Sequence, residues 1–186
     1  MNNMFYGEEM NMTAVHRAAQ LKTFYTVLFA AAVAGLILDT LPMLVYAVTL
    51  VYMGKECSSY KTAGFCLLVS ALLTLASGMF FEEEAVGSLI LTVPAAVLSL
   101  VSVYAEIQGH AEMMVGIDDE LSTKWEQLWK LMMIAYSVLI CSMVLILIIP
   151  PVGAIVTIAG AIAVLVAEIR KVVYLYKMDN TIKQLV

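Results

Sequence analysis

The sequence predicts an all-α integral membrane protein: six transmembrane helices arranged as three hairpins, with a cytoplasmic extension of helices 4 and 5. Three observations carry this. Hydrophobic residues make up 62% of the chain and charged residues 13%, against roughly 45–50% and 25% in a soluble domain. Several apolar runs approach the ~20 residues needed to cross ~30 Å of hydrocarbon. All 10 basic residues fall on one side of a six-segment plot: Arg17, Lys22, Lys55, Lys61, Lys124, Lys130, Arg170, Lys171, Lys177 and Lys183. The intervening turns hold Asp39, then Glu82, Glu83 and Glu84, then Pro150 and Pro151, with no Lys or Arg. Lys and Arg accumulate in cytoplasmic loops, so both termini are expected in the cytoplasm of a multi-pass protein of the inner (cytoplasmic) cell membrane.

The elements follow in order. Residues 1–20 are a polar N-terminal cytoplasmic or interfacial segment carrying Glu8, Glu9, His16 and Arg17. They lack the short apolar core and small-residue cleavage site of a signal peptide, so the first span is expected to be retained. Residues 21–177 form the transmembrane domain, and 178–186 a cytoplasmic tail. The first span covers about 21–38 and breaks at Asp39-Thr40-Leu41-Pro42, where Pro42 suits the first turn of a new helix. Taking 21–53 as one kinked helix would put the basic loops on alternating sides, which the charge pattern rejects. The second span, 42–53, is short; the third runs from Thr62 to Met79. The fourth starts near Ala85 and passes Tyr104, the fifth reaches Ile149, and the sixth runs from Val152 to about Ile169. Tyr25, Tyr52, Tyr60, Tyr104, Trp125, Trp129, Tyr174 and Tyr176 mark an aromatic belt at the cytoplasmic interface.

The fourth and fifth helices exceed what a bilayer requires. The apolar pattern continues past Tyr104 to Val115 and resumes at Leu121, giving helices of ~30 residues and ~45 Å at 1.5 Å per residue. Gly116 suits a helix terminator, and Asp118, Asp119 and Glu120 suit the start of the next helix. Residues 105–127 are therefore expected to project as a helical hairpin, with Ala111, Met114 and Val115 packing toward Leu121, Trp125 and Leu128. A weak repeat links the hairpins. Pro42 with Val51-Tyr52 matches Pro94 with Val103-Tyr104, and Ala105-Glu106-Ile107 is echoed by Ala167-Glu168-Ile169.

Few residues point to chemistry. No Gly-x-Ser-x-Gly, Walker loop, His-Glu-x-x-His or haem-attachment motif occurs, so no catalytic residue, cofactor or metal site is assigned and no enzyme is expected. Glu106 and His110 share a helix face at four-residue spacing, but a metal site needs further ligands that neither motif nor spacing provides. With Glu112, Asp118 and Asp119 they form the polar surface of the stalk, a candidate docking element for a protein partner. Paired methionines at 113–114 and 132–133 are ordinary fillers of apolar contacts. The 3 cysteines, Cys57, Cys66 and Cys141, make no paired framework. No ionisable group falls at a span midplane, which argues against proton coupling and against a charged substrate held at mid-depth. Ser70, Thr74 and Ser77 on the third span, Ser99 on the fourth, Ser137 on the fifth and Thr157 on the sixth are candidate polar lining residues. Close helix packing and interhelical hydrogen bonds are the favoured reading of the same residues, a neutral pocket or narrow pore lined by hydroxyls the alternative.

Ala30-x-x-x-Ala34 lies on the first span, and with six spans in a short chain it resembles the substrate-binding subunits of energy-coupling-factor vitamin transporters. In that family such a stripe docks a partner membrane subunit, so the resemblance implies a bound small molecule and a protein partner. It covers topology and Ala30/Ala34 only, and the long stalk departs from it. The expected function is binding or transport of a neutral or amphipathic small molecule, with or without a partner or a second copy. The alternative is a scaffold, immunity or sensor protein that recruits a partner through the stalk. A net charge of −5 argues against nucleic acid.

Overall fold

The computed structural model describes residues 2–35, 40–80 and 85–185; Asp39 and the Glu82–Glu84 triplet lie outside the described residues. Those described are all-helical: α1 Asn2–Gly35, α2 Thr40–Met53, α3 Ser58–Phe80, α4 Ala85–Met114, α5 Asp119–Ile148 and α6 Pro150–Leu185. Among the described residues four stretches are long and apolar enough to cross a membrane: Ser58–Phe80, Ser88–Met114, Asp119–Ile146 and Pro150–Leu185, with Pro42–Met53 a shorter apolar helix. Apolar side chains cover the outside of these helices. Leu72, Met79, Ile90, Ile140, Met143, Ile148, Ile155 and Ile162 are all more than half exposed, a surface suited to hydrocarbon.

The connections obey local chemistry. Between α2 and α3 the Gly54 N–H bonds back to Leu50 O at 2.9 Å, closing the helix before a four-residue link. Between α4 and α5, Gly116 takes φ +77°, a conformation costly for any residue with a Cβ. The Asp118 carboxylate accepts from the Leu121 N–H at 2.9 Å, and Asp119 accepts from the Gly116 N–H at 2.8 Å. The turn and cap expected at 116–118 are thus present, and α4 and α5 each have 30 residues. Pro150 opens α6 directly after Ile149, at a position where a missing N–H costs nothing.

Each helix packs on its neighbours in sequence, and α1 closes the ring against α6. Hydroxyls and small residues make the seams. Ser102 donates to Ala63 O at 2.8 Å and Ser70 to Ala95 O at 2.8 Å across α3–α4; Ser122 donates to Ala111 O at 2.9 Å across α4–α5. Lipid offers helices no hydrophobic reason to associate, so such bonds and close contacts do that work.

Packing is uneven along the bundle. The buried cluster gathers at the end holding the α2–α3 and α4–α5 connections, here the polar end. Leu21, Tyr25 and Leu28 of α1 meet there with Tyr60, Met114, Trp125, Leu175 and Met178. This corrects two expectations. The α4–α5 hairpin does not project alone: α1 and α6 run on beside it, and Met113, Met114, Leu121, Trp125 and Leu128 are buried in the common core. Val115, expected inside the hairpin, is 60% exposed. Nor is every aromatic a belt residue. Tyr52, Tyr104 and Tyr176 face outward, whereas Tyr25, Tyr60 and Trp125 are fully enclosed.

Backbone proximity of α2 and α3 supplies a test. A Cβ at Gly64 would meet Val51 N at 2.7 Å and Ala47 O at 2.8 Å, backbone atoms that cannot swing away; a Cβ at Gly78 meets nothing within 4 Å. Gly64→Ala should lower stability by about 1–3 kcal/mol. Gly78→Ala should be neutral or raise it by up to about 1 kcal/mol. Thermal unfolding of both variants in the same detergent checks the pair.

Candidate functional site

A partly open cavity of about 350 Å³ is lined by α1, α2, α3, α4 and α6. Its walls are apolar, including Ala31 and Ala32 of α1, Met43 of α2, Leu67 of α3, Val103 of α4 and Val172 of α6. One end is charged, formed by Tyr46, Glu106, Glu168 and Lys171.

Glu106 is the centre of this end and is 2% exposed. Its Oε2 accepts from Lys171 Nζ at 2.9 Å, and its Oε1 from the Tyr46 hydroxyl and from His110 Nε2, the latter at 3.4 Å. Three donors from α2, α4 and α6 therefore satisfy one carboxylate. That is what a buried carboxylate requires, since an unpaired one is expelled or neutralised. Lys171 Nζ also sits 5.1 Å from the centroid of the Tyr46 ring, a cation–π placement.

A second chain of bonds leaves the far side of His110. Its Nδ1 lies 2.8 Å from the Tyr60 hydroxyl, which lies 2.8 Å from the Tyr25 hydroxyl. The proton positions follow from counting donors. With a neutral ring, Tyr25 donates to Tyr60, Tyr60 donates to Nδ1, and Nε2–H donates to Glu106. A charged ring would reverse both phenols and leave the Tyr25 hydroxyl proton without an acceptor among the described residues. Buried polar hydrogens are nearly always paired, so the neutral ring is assigned. Trp125 stacks 4.5 Å from the His110 ring centroid and Tyr60 meets its edge at 5.2 Å, holding the imidazole in place. A Cβ at Gly109 would lie 2.7 Å from Tyr60 Cε1, so glycine there makes room for this phenol.

The stalk candidates divide. Glu106 and His110, expected on an exposed polar surface, are buried at the cavity end and beneath it. Glu112 accepts from Cys57 Sγ at 3.1 Å and from Ser59 Oγ at 3.2 Å, tying α4 to the α2–α3 link. Burial, helped by the Glu112 carboxylate, pushes the Cys57 thiol up from its ordinary value. Asp118 caps α5, and Asp119 accepts from the Gly116 N–H in the turn before it. The five side chains form no single patch.

The hydroxyl candidates are also dispersed. Ser70, Thr74 and Ser99 border a groove of about 460 Å³ between α2, α3 and α4, but Ser70 donates to Ala95 O and Thr74 to Ser70 O. Ser77 reaches Ser88 O at 3.5 Å. Ser137 borders an apolar groove beside Cys141 and Val156. Thr157 bonds Ser142 Oγ and Gly153 O, both at 2.9 Å. None of these six lines the charged cavity. Its decisive members, Tyr46, Glu168 and Lys171, were not singled out by sequence as site residues. The signal available was the echo of Ala105-Glu106-Ile107 in Ala167-Glu168-Ile169: both glutamates border the same cavity.

Among the described residues no group of three His, Cys, Asp or Glu side chains stands at metal-binding distance. Comparison with protein-family models, curated proteins and solved structures returns no match. The arrangement can therefore be read only from its own chemistry: an apolar chamber ending in fixed charges.

The pairing predicts a double-mutant result. Lys171→Met strands the Glu106 carboxylate and should cost about 3–5 kcal/mol, while adding Glu106→Gln should recover most of that loss. Chemical unfolding of the two singles and the double in one detergent measures the coupling.

Proposed function

We propose that this chain is a multi-pass membrane protein that binds an amphipathic small molecule in the chamber between α1, α2, α3, α4 and α6, without catalysing a reaction on it. One observation carries the reading: a partly open cavity of about 350 Å³ among five helices pairs apolar walls with a charged end. Pockets for small molecules are concave and mostly apolar, with a few polar groups fixing orientation. Ionisable residues among apolar helices are costly, and they mark ligand or ion pathways when they face an interior cavity. Among the described residues no nucleophile–base pair lines it: Ser102 Oγ donates to Ala63 O, and the Tyr46 hydroxyl donates to Glu106.

We place both termini and the polar end in the cytoplasm of a cell inner membrane, as three antiparallel hairpins. The support is the distribution of the 10 basic residues, which the positive-inside rule assigns to the cytoplasm.

Two experiments test these statements. N-phenyl-1-naphthylamine, which brightens in apolar surroundings, should titrate the protein in nanodiscs to saturation above the signal of empty discs. Ala32→Phe should remove the saturable part while leaving the unfolding temperature nearly unchanged; retention of full binding rejects the chamber as the site. For orientation, single cysteines at Asp39 and Glu83, with Cys57, Cys66 and Cys141 replaced, should react with an impermeant maleimide from outside. A cysteine at Lys55 or Lys124 should react only after permeabilisation.

A further inference from the structure

Resting on the chamber reading above, we propose that its ligand is a monocationic amphiphile, an ammonium group on an apolar body, and that Glu168 is the counter-ion.

The charges at the chamber end do not cancel. Glu106 and Lys171 neutralise one another at 2.9 Å. His110 is neutral by the hydrogen-bond count, and its ring lies behind Glu106 rather than on the cavity wall. Glu168 also borders the cavity, and among the described residues it makes no hydrogen bond and no close ion pair. It stands one turn from Lys171 on the same face of α6, yet the ammonium reaches across to Glu106. The end of the chamber thus presents one surplus negative charge in surroundings of low polarity.

Other ligand charges fit less well. An anion would have to compete with Glu106 for Lys171, whose ammonium is held both by that carboxylate and over the Tyr46 ring. It would also bring a second surplus negative charge beside Glu168. A neutral solute leaves the Glu168 carboxylate uncompensated when the chamber loses its water. A cation restores neutrality, and a charge-assisted bond to a carboxylate is about twice as strong as a neutral one. The apolar walls formed by Ala31, Met43, Leu67, Val103 and Val172 then take the rest of the molecule. An ammonium lacking that body gains only the charge contact, so small hydrated cations are poor ligands for this site.

Three probes of one shape separate the outcomes: 4-phenylbutylamine, 4-phenylbutanol and 4-phenylbutyrate, titrated by calorimetry into the full chain in phosphatidylcholine nanodiscs, with empty discs subtracted. The amine is expected to bind roughly tenfold or more tighter than the alcohol, a difference on the scale of one charged contact, and the acid weaker than either. Glu168→Gln should bring the amine down to the alcohol's affinity and leave the alcohol unchanged. Equal binding of amine and alcohol, tightest binding of the acid, or an amine affinity indifferent to Glu168→Gln overturns the cationic assignment while leaving the chamber as a binding site. Absence of saturable binding by all three overturns both. The comparison of the three probes on the unsubstituted protein stands even if the Glu168 variant does not fold.

Discussion

The Glu106 carboxylate is the point on which the polar end depends. A charge taken out of water loses more solvation than a single partner returns, so it persists only when several donors converge on it. Here those donors come from Tyr46, His110 and Lys171, on α2, α4 and α6. Through His110 the same carboxylate is linked to Tyr60 on α3 and Tyr25 on α1. Five helices are thereby held in register around one buried acid. A slide of α6 by one turn would carry Lys171 out of reach and leave both charges stranded. Apolar contacts alone tolerate such slides, because one Leu or Val replaces another at little cost. The ion pair supplies the specificity that the rest of the surface lacks.

This division of labour explains the uneven packing. At the polar end large side chains are enclosed: Trp125, Tyr25 and Tyr60 have no exposed surface. Toward the other end the helices are joined by glycine contacts and hydroxyl-to-carbonyl bonds, while their Ile, Leu and Val side chains point outward. In hydrocarbon those outward residues need no protein partner. The chamber lies where the two regimes meet, with apolar walls toward one end and fixed charges toward the other.

Much of the fold was legible in the sequence because it is local. Helix count, the α4–α5 turn at Gly116, the Asp118 cap and the starts of α2 and α6 near prolines all follow from residues within a few positions of one another. The site was legible only in part because its bonds are long-range. Tyr46 and Glu106 are 60 positions apart, and Lys171 and Glu106 are 65. Lys171, adjacent to Arg170, reads in sequence as the basic end of a span, and nothing local says that it turns inward. Glu106 and His110 share a face, but whether that face meets water or protein depends on how far α1 and α6 extend beside it. The continuation of those helices, through polar sequence such as Gln20 and Asn180, is what converts an expected surface into a core. The hydroxyl stripes misled for the opposite reason. Their regular spacing suggested a lining, whereas Ser70 and Thr74 satisfy backbone carbonyls.

Closure of the ring has a mechanical corollary. Consecutive helices are tied by short lengths of chain, but α1 and α6 are neighbours in space with the whole sequence between them. Their seam is fastened by side chains: Thr26 donates to Asp179 at 2.8 Å, and the Phe29 and Tyr176 rings meet at 5.5 Å. Both helices also contribute walls to the chamber, through Ala31 and Ala32 on one side and Glu168 and Lys171 on the other. Parting any other seam strains a connection, whereas parting this one breaks only side-chain contacts: that hydrogen bond, that ring contact and the buried packing in which Leu21, Tyr25 and Leu28 meet Leu175 and Met178. The ring is thus a clasp rather than a hoop, and its catch lies beside the chamber.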